Sequence, residues 1–513
     1  MLKFIHRWFS VVAAFFILMF AISGIVLNHR HFFSPVSVDR NRLPGDYRFN
    51  NWNLAAIKGS TPLSTDSMLV YGNIGVWLTD SAFSGFEPFN DGFSKGIDNR
   101  KTFHVFHSPA GNTYAGTLSG LYYLEEQQWI PLALPVKEKQ VRAIEMRGDS
   151  LLVLTRSSLI LGADNPALPA FTEHRLPHPK GYAGRTSVFR ALWVLHSGEI
   201  FGFAGKIIVD FMGLVMIFLT LTGIIWFIAP DVMKSLKTRL KARKNFGRLN
   251  RFSRKWHNLI GITMVFFLAI NTIAGSFLRP PLLIAIAKND IANIKGTILD
   301  HVNPWYDKLR DIRYDGASDR FLLSSSDGFF AVSPALADSL EPIGNQPPVS
   351  VMGINVFEPQ GEGQFIIGSF SGIFNWDPSH EIITDMITGL PPEAGKPLSS
   401  PFGSLPVAGY ISTPNGKEFI FDYDAGVFSK SQGMQFPEMP ESVKRETPFP
   451  LWNLALEVHT GRIYSTIFGK FYILFIPLAG IMVLSILLSG MVLWIRDYRR
   501  KKRIRKHCQP PSV

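Results

Sequence analysis

Two apolar stretches of this chain repeat one another down to the placement of a histidine and a glycine. His6 opens a run that reaches Ser23-Gly24, and His257 opens one that reaches Ala274-Gly275; the spacing is 18 in both (24 − 6 and 275 − 257). A second matched pair, Leu195-His196-Ser197-Gly198 and Val458-His459-Thr460-Gly461, precedes two further apolar runs. A repeat of this kind sets the architecture before any local reading. The four runs, about Trp8–Leu27, Ile207–Ala229, Leu259–Leu278 and Phe471–Ile495, are each long enough to cross roughly 30 Å of hydrocarbon as a helix. The first has no small-x-small cleavage site after it, so it reads as a retained anchor. The fold class this predicts is membrane α + β. A four-helix transmembrane bundle arises from an internal duplication and carries a large outer β domain.

Charge orients the bundle. Lys3 and Arg7, the segment between Ala229 and His257, and the tail after Ile495 together hold 20 basic and 2 acidic residues. The whole chain has 52 and 40, so the remainder holds 32 and 38, a net of −6. The basic excess is therefore a topology signal and excludes a nucleic-acid footprint. Short Lys/Arg-rich segments stay in the cytoplasm. The expected location is the bacterial inner membrane, with both termini cytoplasmic and the large domain periplasmic. The expected order is span one (1–29), outer β segment (30–190), span two with an outward extension (191–229) and a basic cytoplasmic loop (230–256). Span three (257–279), a second outer β segment (280–453), span four with an outward extension (454–495) and a basic cytoplasmic tail (496–513) complete it. The only cysteine, Cys508, lies in that tail, so there is no disulfide framework and no covalent haem-attachment motif.

The repeat continues into the outer segments. Gly116 in TYAGTLSGLYY matches Gly368 in FIIGSFSGIFN, and Gly75 matches Gly328. Short strand candidates broken by Gly, Pro and Asn recur there, with marker turns near Gly75, Gly120, Ser158, Gly328, Gly372 and Gly426. Their spacing suits four-stranded propeller blades. Three units per half suggest one propeller of about six blades, closed when both halves meet. Two separate antiparallel β domains remain the alternative.

An ionisable side chain at membrane depth is a functional candidate by default. A lone histidine at a helix end is more simply satisfied by water or headgroups. Four in two matched pairs change that balance, because imidazole is a common axial ligand of haem iron. A pseudo-twofold axis along the membrane normal would set His6 against His257 near the inside and His196 against His459 near the outside. Glycines 198, 202, 205, 461 and 469 could admit a porphyrin edge. His29 and His31 close the first span and are second-tier ligands that could replace a member of the outer pair. Asp210, at the start of span two, reads as a headgroup-level carboxylate or a proton relay. Trp226 and Trp494, in TGIIW and SGMVLW, read as an interfacial aromatic belt. No dinucleotide fingerprint, P-loop, G-x-S-x-G or H-E-x-x-H is present.

At these residues the chain resembles the PepSY-associated transmembrane family. The resemblance rests on His6-Arg7-Trp8, Ser23-Gly24, His196-Ser197-Gly198, His459-Thr460-Gly461, and Trp256-His257 with Gly261. It covers the four spans and their flanks. Members include siderophore-iron reductases of the inner membrane that resemble four-helix dihaem proteins. The resemblance implies two haem b groups and an oxidoreductase of the ferric or siderophore-reductase kind. Electrons would come from a quinol or a cytoplasmic reductase and leave to a periplasmic ferric acceptor. The departure is the outer region, where many members carry a small α/β module and this chain shows blade-like repeats. A different function stays open, a membrane-anchored periplasmic β-propeller sensor or binding protein without redox activity. A transporter is disfavoured because the spans lack Pro/Gly-broken midsections.

Overall fold

Among the described residues, four helices are long and apolar enough to cross a membrane: Leu2–Asn28, Glu199–Ser235, Leu240–Ser276 and Arg462–Ile504. In the computed structural model these helices pack as a ring in which span 1 meets span 2, span 2 meets span 3, span 3 meets span 4 and span 4 meets span 1. Spans 1 and 3 are therefore diagonal, as are spans 2 and 4. The structure describes all residues except 168–169, 351, 362, 393–404, 414, 431–434 and 508–513. Cys508 thus lies outside the described residues. The chain forms two compact units. One is Met1–Phe33, Gly184–His301 and Trp452–Val513; the other is Ser34–Ala183 and Val302–Leu451.

In the membrane unit the lipid-type interior is built by close approach of small residues. Gly480 lies against Ser276, where an added Cβ would stand 2.1 Å from the hydroxyl, and Gly213 lies against Ile25. Ala13, Ile17 and Val483 form one buried cluster and Met212, Val215 and Leu268 another, with Met216 and Leu487 packed on both. The basic stretch expected as a loop is mostly helix. Span 2 continues to Ser235 and span 3 begins at Leu240, leaving a short turn at 236–239. Lys and Arg are good helix formers with no reason to break a helix where it leaves an apolar layer.

Besides the two-stranded pair Ser37–Val38 with Phe449–Pro450, the second unit holds, among the described residues, six larger antiparallel sheets in chain order, starting at strands Gly59–Pro62, Thr102–His107, Val141–Arg147, Leu309–Asp315, Ile354–Pro359 and Val407–Ser412. Five have four strands and the sixth has three among the described residues. Each sheet is a simple meander. The first strand of each sheet touches the first strand of the next, and that of the sixth touches that of the first. Two aromatic-rich cores join the halves of the sequence across this ring. Trp52, Trp77, Phe419 and Phe421 bury together between sheets 1 and 6. Trp305, Phe321, Ala143 and Leu152 do so between sheets 3 and 4. Each large side chain sealed this way contributes about 1.5–3 kcal/mol.

The marker turns fall where the periodicity puts them, between the second and third strands of the six sheets. A hydroxyl or carboxylate two or three residues before each later turn folds it. Thr117 accepts from the Gly120 amide, Thr155 from Ser158, Ser325 from Asp327, Ser369 from Ser371 and Asp422 from Ala425. Such side-chain turns are a usual role of these residue types.

Candidate functional site

The local sequence bends the chain to present each of the four paired histidines. His6 stands in a short π-helical turn, Ile5–Phe9, ahead of the regular helix Ser10–Asn28. Such turns insert an extra residue and are frequent at functional sites. His196 lies in the last turn of the helix Val188–Ser197, whose N-cap Ser187 accepts from the Arg190 amide. Gly198 then turns left-handed (φ +81°) and breaks the helix before span 2. Its backbone lies on Gly205, where a Cβ on Gly198 would stand 2.2 Å from the Gly205 carbonyl oxygen. His459 ends Leu451–His459 in the same way, with Gly461 at φ +74°.

The diagonal relation brings the histidines together in two couples. The ring centroids of His6 and His257 are 6.2 Å apart, with planes at 78°. Those of His196 and His459 are 5.9 Å apart, with planes at 45°. Along span 1, His6 and the Ser23-Gly24 step that receives His459 are 18 residues apart, roughly 27 Å of helix. The two couples therefore lie at opposite ends of the bundle, with Met216 and Leu487 among the side chains that fill the interior between.

Every one of the four rings is held by the span next to its own. His6 Nδ1 donates to the Ile486 carbonyl (3.0 Å), and His257 Nδ1 to that of Leu219 (3.1 Å). His196 Nδ1 donates to Asn271 O (3.0 Å), and Asn271 Nδ2 returns a bond to His196 O (2.9 Å). His459 Nδ1 donates to Phe20 O (3.1 Å) and lies 3.0 Å from Ser23 Oγ. A carbonyl only accepts, so in all four rings Nδ1 carries the proton and Nε2 keeps its lone pair. This is the usual outer support of a metal-ligating imidazole.

Room for each ring comes from a glycine on the same neighbouring span. A Cβ at Gly490 would stand 2.9 Å from His6 Cε1, at Gly223 3.4 Å from His257, at Gly275 2.5 Å from His196, and at Gly24 3.3 Å from His459. Sequence reasoning singled out Gly24 and Gly275 but missed Gly223 and Gly490. Their signal is present in TGIIW and SGMVLW, where each glycine stands beside a hydroxyl residue. Trp226 also does more than mark an interface, since its ring packs edge-on to His257 at 6.0 Å. Trp494 instead stacks on Tyr498.

The second-tier histidines stand apart from the outer couple. His29 Nε2 meets Asp210 Oδ2 at 2.7 Å, while Asn28 Nδ2 donates to Asp210 Oδ1 at 2.9 Å. His31 is exposed. Asp210 is therefore tied to two polar partners at the end of span 1.

The donor set can be tested against haem iron. A metal about 2.1 Å from each ring nitrogen, and about 1.1 Å more to each ring centre, separates centroids by about 6.4 Å. Separations of 6.2 and 5.9 Å, free Nε2 lone pairs and glycine cradles fit that requirement.

Comparison with known proteins agrees with the membrane unit. Residues 2–229 match the family model described as PepSY-associated TM region. The match covers somewhat less than half of the chain and, with the four candidate spans, supports a membrane protein. No curated protein sequence matches the chain. Among solved structures, it is similar to the extracellular domain of a protein of B. thetaiotaomicron described as a hybrid two-component system. Identity is 11%, coverage 77% of this chain and 35% of that one, and the TM-score 0.35. It is also similar to PorZ, a surface component of the type-IX secretion system of Porphyromonas gingivalis. Identity there is 10%, coverage 76% and 39%, and the TM-score 0.31. The chain spans about a third of the length of the first of these. Likeness at this level carries no weight for function.

Proposed function

We propose that the chain is an inner-membrane b-type haem protein that carries electrons across the membrane to a periplasmic acceptor, ferric iron or a ferric siderophore. A quinol or a cytoplasmic reductase is the donor class. The observation behind this reading is the convergence of four imidazoles in two couples, each ring fixed through Nδ1. His6 and His257 would hold one haem b, and His196 and His459 a second. Bound haem supplies one-electron redox chemistry. The protein's part is to orient the four Nε2 atoms through the carbonyls of Ile486, Leu219, Asn271 and Phe20. It also fills the space between the couples with apolar side chains, which keeps water out of the bundle.

The 20-to-2 basic excess on the termini and the segment between spans 2 and 3 supports a cytoplasmic placement of both. We read the β unit as a six-bladed propeller in the periplasm, supported by the closed ring of first-strand contacts. The test is the reduced-minus-oxidised spectrum of protein purified from haem-replete cells. Soret and α bands are expected, and His257→Ala should remove about half of the haem while leaving the outer couple loaded. A purified, folded protein with no haem bands would sink the reading, leaving a membrane-anchored β-rich binding protein.

A further inference from the structure

The β unit carries a cluster of half-buried cations that the membrane histidines do not explain. In sheets 2 to 6 the first strand slips register by one residue. The residue left over is Phe103, Arg142, Arg310, Asn355 and Ala408 in turn. A bulge re-aims the extra side chain out of the ladder. In sheet 1 the corresponding place is Lys58, just before strand Gly59–Pro62, with its amide bonded to Tyr71 O. Because the six first strands touch in a closed ring, these positions come round to one axis.

The ring is unbalanced in charge. Lys58 Nζ lies 4.8 Å, and Arg142 Cζ 4.3 Å, from the centroid of the same Phe103 ring. Among the described residues neither side chain has a hydrogen-bonded acid, and Arg142 Nε is shut from solvent without a hydrogen-bond partner. The cations around them are already matched, Lys101 by Asp98 (2.7 Å) and Arg156 by Asp307 (2.6 Å). The nearby acids attract Arg142 without bonding either cation. Asp311 accepts from Arg313 Nη1 and the Ile312 amide, and Glu138 bonds Ser157 and Thr155 while its Oε2 is buried without a hydrogen-bond partner. Burial, then repulsion from Arg142 and Lys101, pulls the Lys58 ammonium down to about 7. Two half-buried cations stacked on one phenyl ring are costly unless something anionic joins them.

We propose that Lys58, Arg142 and Phe103 form a binding site for a small oxyanion of two or more charges, a polycarboxylate or a phosphate. The site does not depend on the haem reading. It requires only the β unit, and its failure would leave the histidine couples untouched.

The test is anion binding by the full-length protein in detergent, by calorimetry, with citrate, inorganic phosphate and chloride at matched ionic strength. Saturable binding of citrate or phosphate, at least tenfold tighter than chloride, is expected, and which of the two binds identifies the source. Lys58→Met and Arg142→Met should each weaken it at least tenfold, and Arg142→Lys less. If either Met variant fails to fold, acetylation of Lys58 in the unaltered protein, followed by peptide mass spectrometry, decides. The bound anion should slow modification of Lys58 at least threefold relative to Lys180. No binding, binding equal to that of chloride, binding unchanged in folded Met variants, or no protection of Lys58 overturns the proposal.

Discussion

At the scale of single residues, the membrane histidines were legible because polar punctuation of an apolar run is rare. What holds them was not. A backbone carbonyl such as Ile486 O or Phe20 O has no signature in sequence, and only the fold shows which span offers it. The glycine cradles make a graded prediction. Gly275→Ala puts a methyl 2.5 Å from the His196 ring, with close approaches to Cε1, Nδ1 and Nε2, so the ring must leave its place. Gly223→Ala brings a methyl to an ordinary contact distance of 3.4 Å from His257. On the haem reading proposed above, haem-to-protein ratios of purified variants should show a loss of about half in the first and little change in the second. Lys58 and Arg142 were illegible for another reason. A charged residue in a strand, like Arg142, looks like a solvated face until a register shift reveals a bulge, and Lys58 stands just before its strand. Glu358 makes the pH prediction. Burial raises its carboxyl to about 7, with Arg313 opposing. An acid raised by folding adds stability below its unfolded value of about 4.3 and loses it as pH rises through 7. Glu358→Gln should flatten the decline in the melting temperature between pH 5 and 7. An unchanged slope would refute the assignment.

At the scale of elements, the turns of the β unit were readable and their tolerance is not uniform. Gly426 has φ +88°, and a Cβ there would stand 1.7 Å from the Asn51 carbonyl oxygen, whereas Gly416 at φ +73° has open space around it. Both resist a side chain through backbone strain of about 1–2 kcal/mol. Gly426→Ala adds a clash with backbone that cannot move aside, so it should cost more than about 3 kcal/mol against about 1 for Gly416→Ala. Denaturant unfolding followed by tryptophan fluorescence measures both. The fourth strands of the sheets were harder to read, because pieces such as Glu87–Pro88 and Glu341–Pro342 are too short to carry a period. The helical course of the basic segment was hidden too, since a run of charges says where it sits and not how it is wound.

At the scale of the molecule, the duplication was plain in sequence but the way its halves close was not. The β unit takes three sheets from each half and seals them at two seams, around Trp52 with Phe419 and around Trp305 with Ala143. In the membrane unit, spans 1 and 2 meet spans 3 and 4 on two sides. The halves are joined in sequence by the short turn at 236–239. A protease site placed in that turn should therefore leave both fragments co-purifying as one particle after cleavage. Fragments that separate in mild detergent would show that the seams are weaker than their buried aromatics imply.

Each imidazole that reaches toward its diagonal partner also ties two neighbouring spans together through its other nitrogen. Four such ties brace the helices before any cofactor arrives. On the haem reading proposed above, biogenesis would run in two stages, with the scaffold inserted and finished first and loaded afterwards. Cells starved of haem should accumulate the empty protein at normal abundance, resistant to membrane proteases and ready to be filled when supply returns.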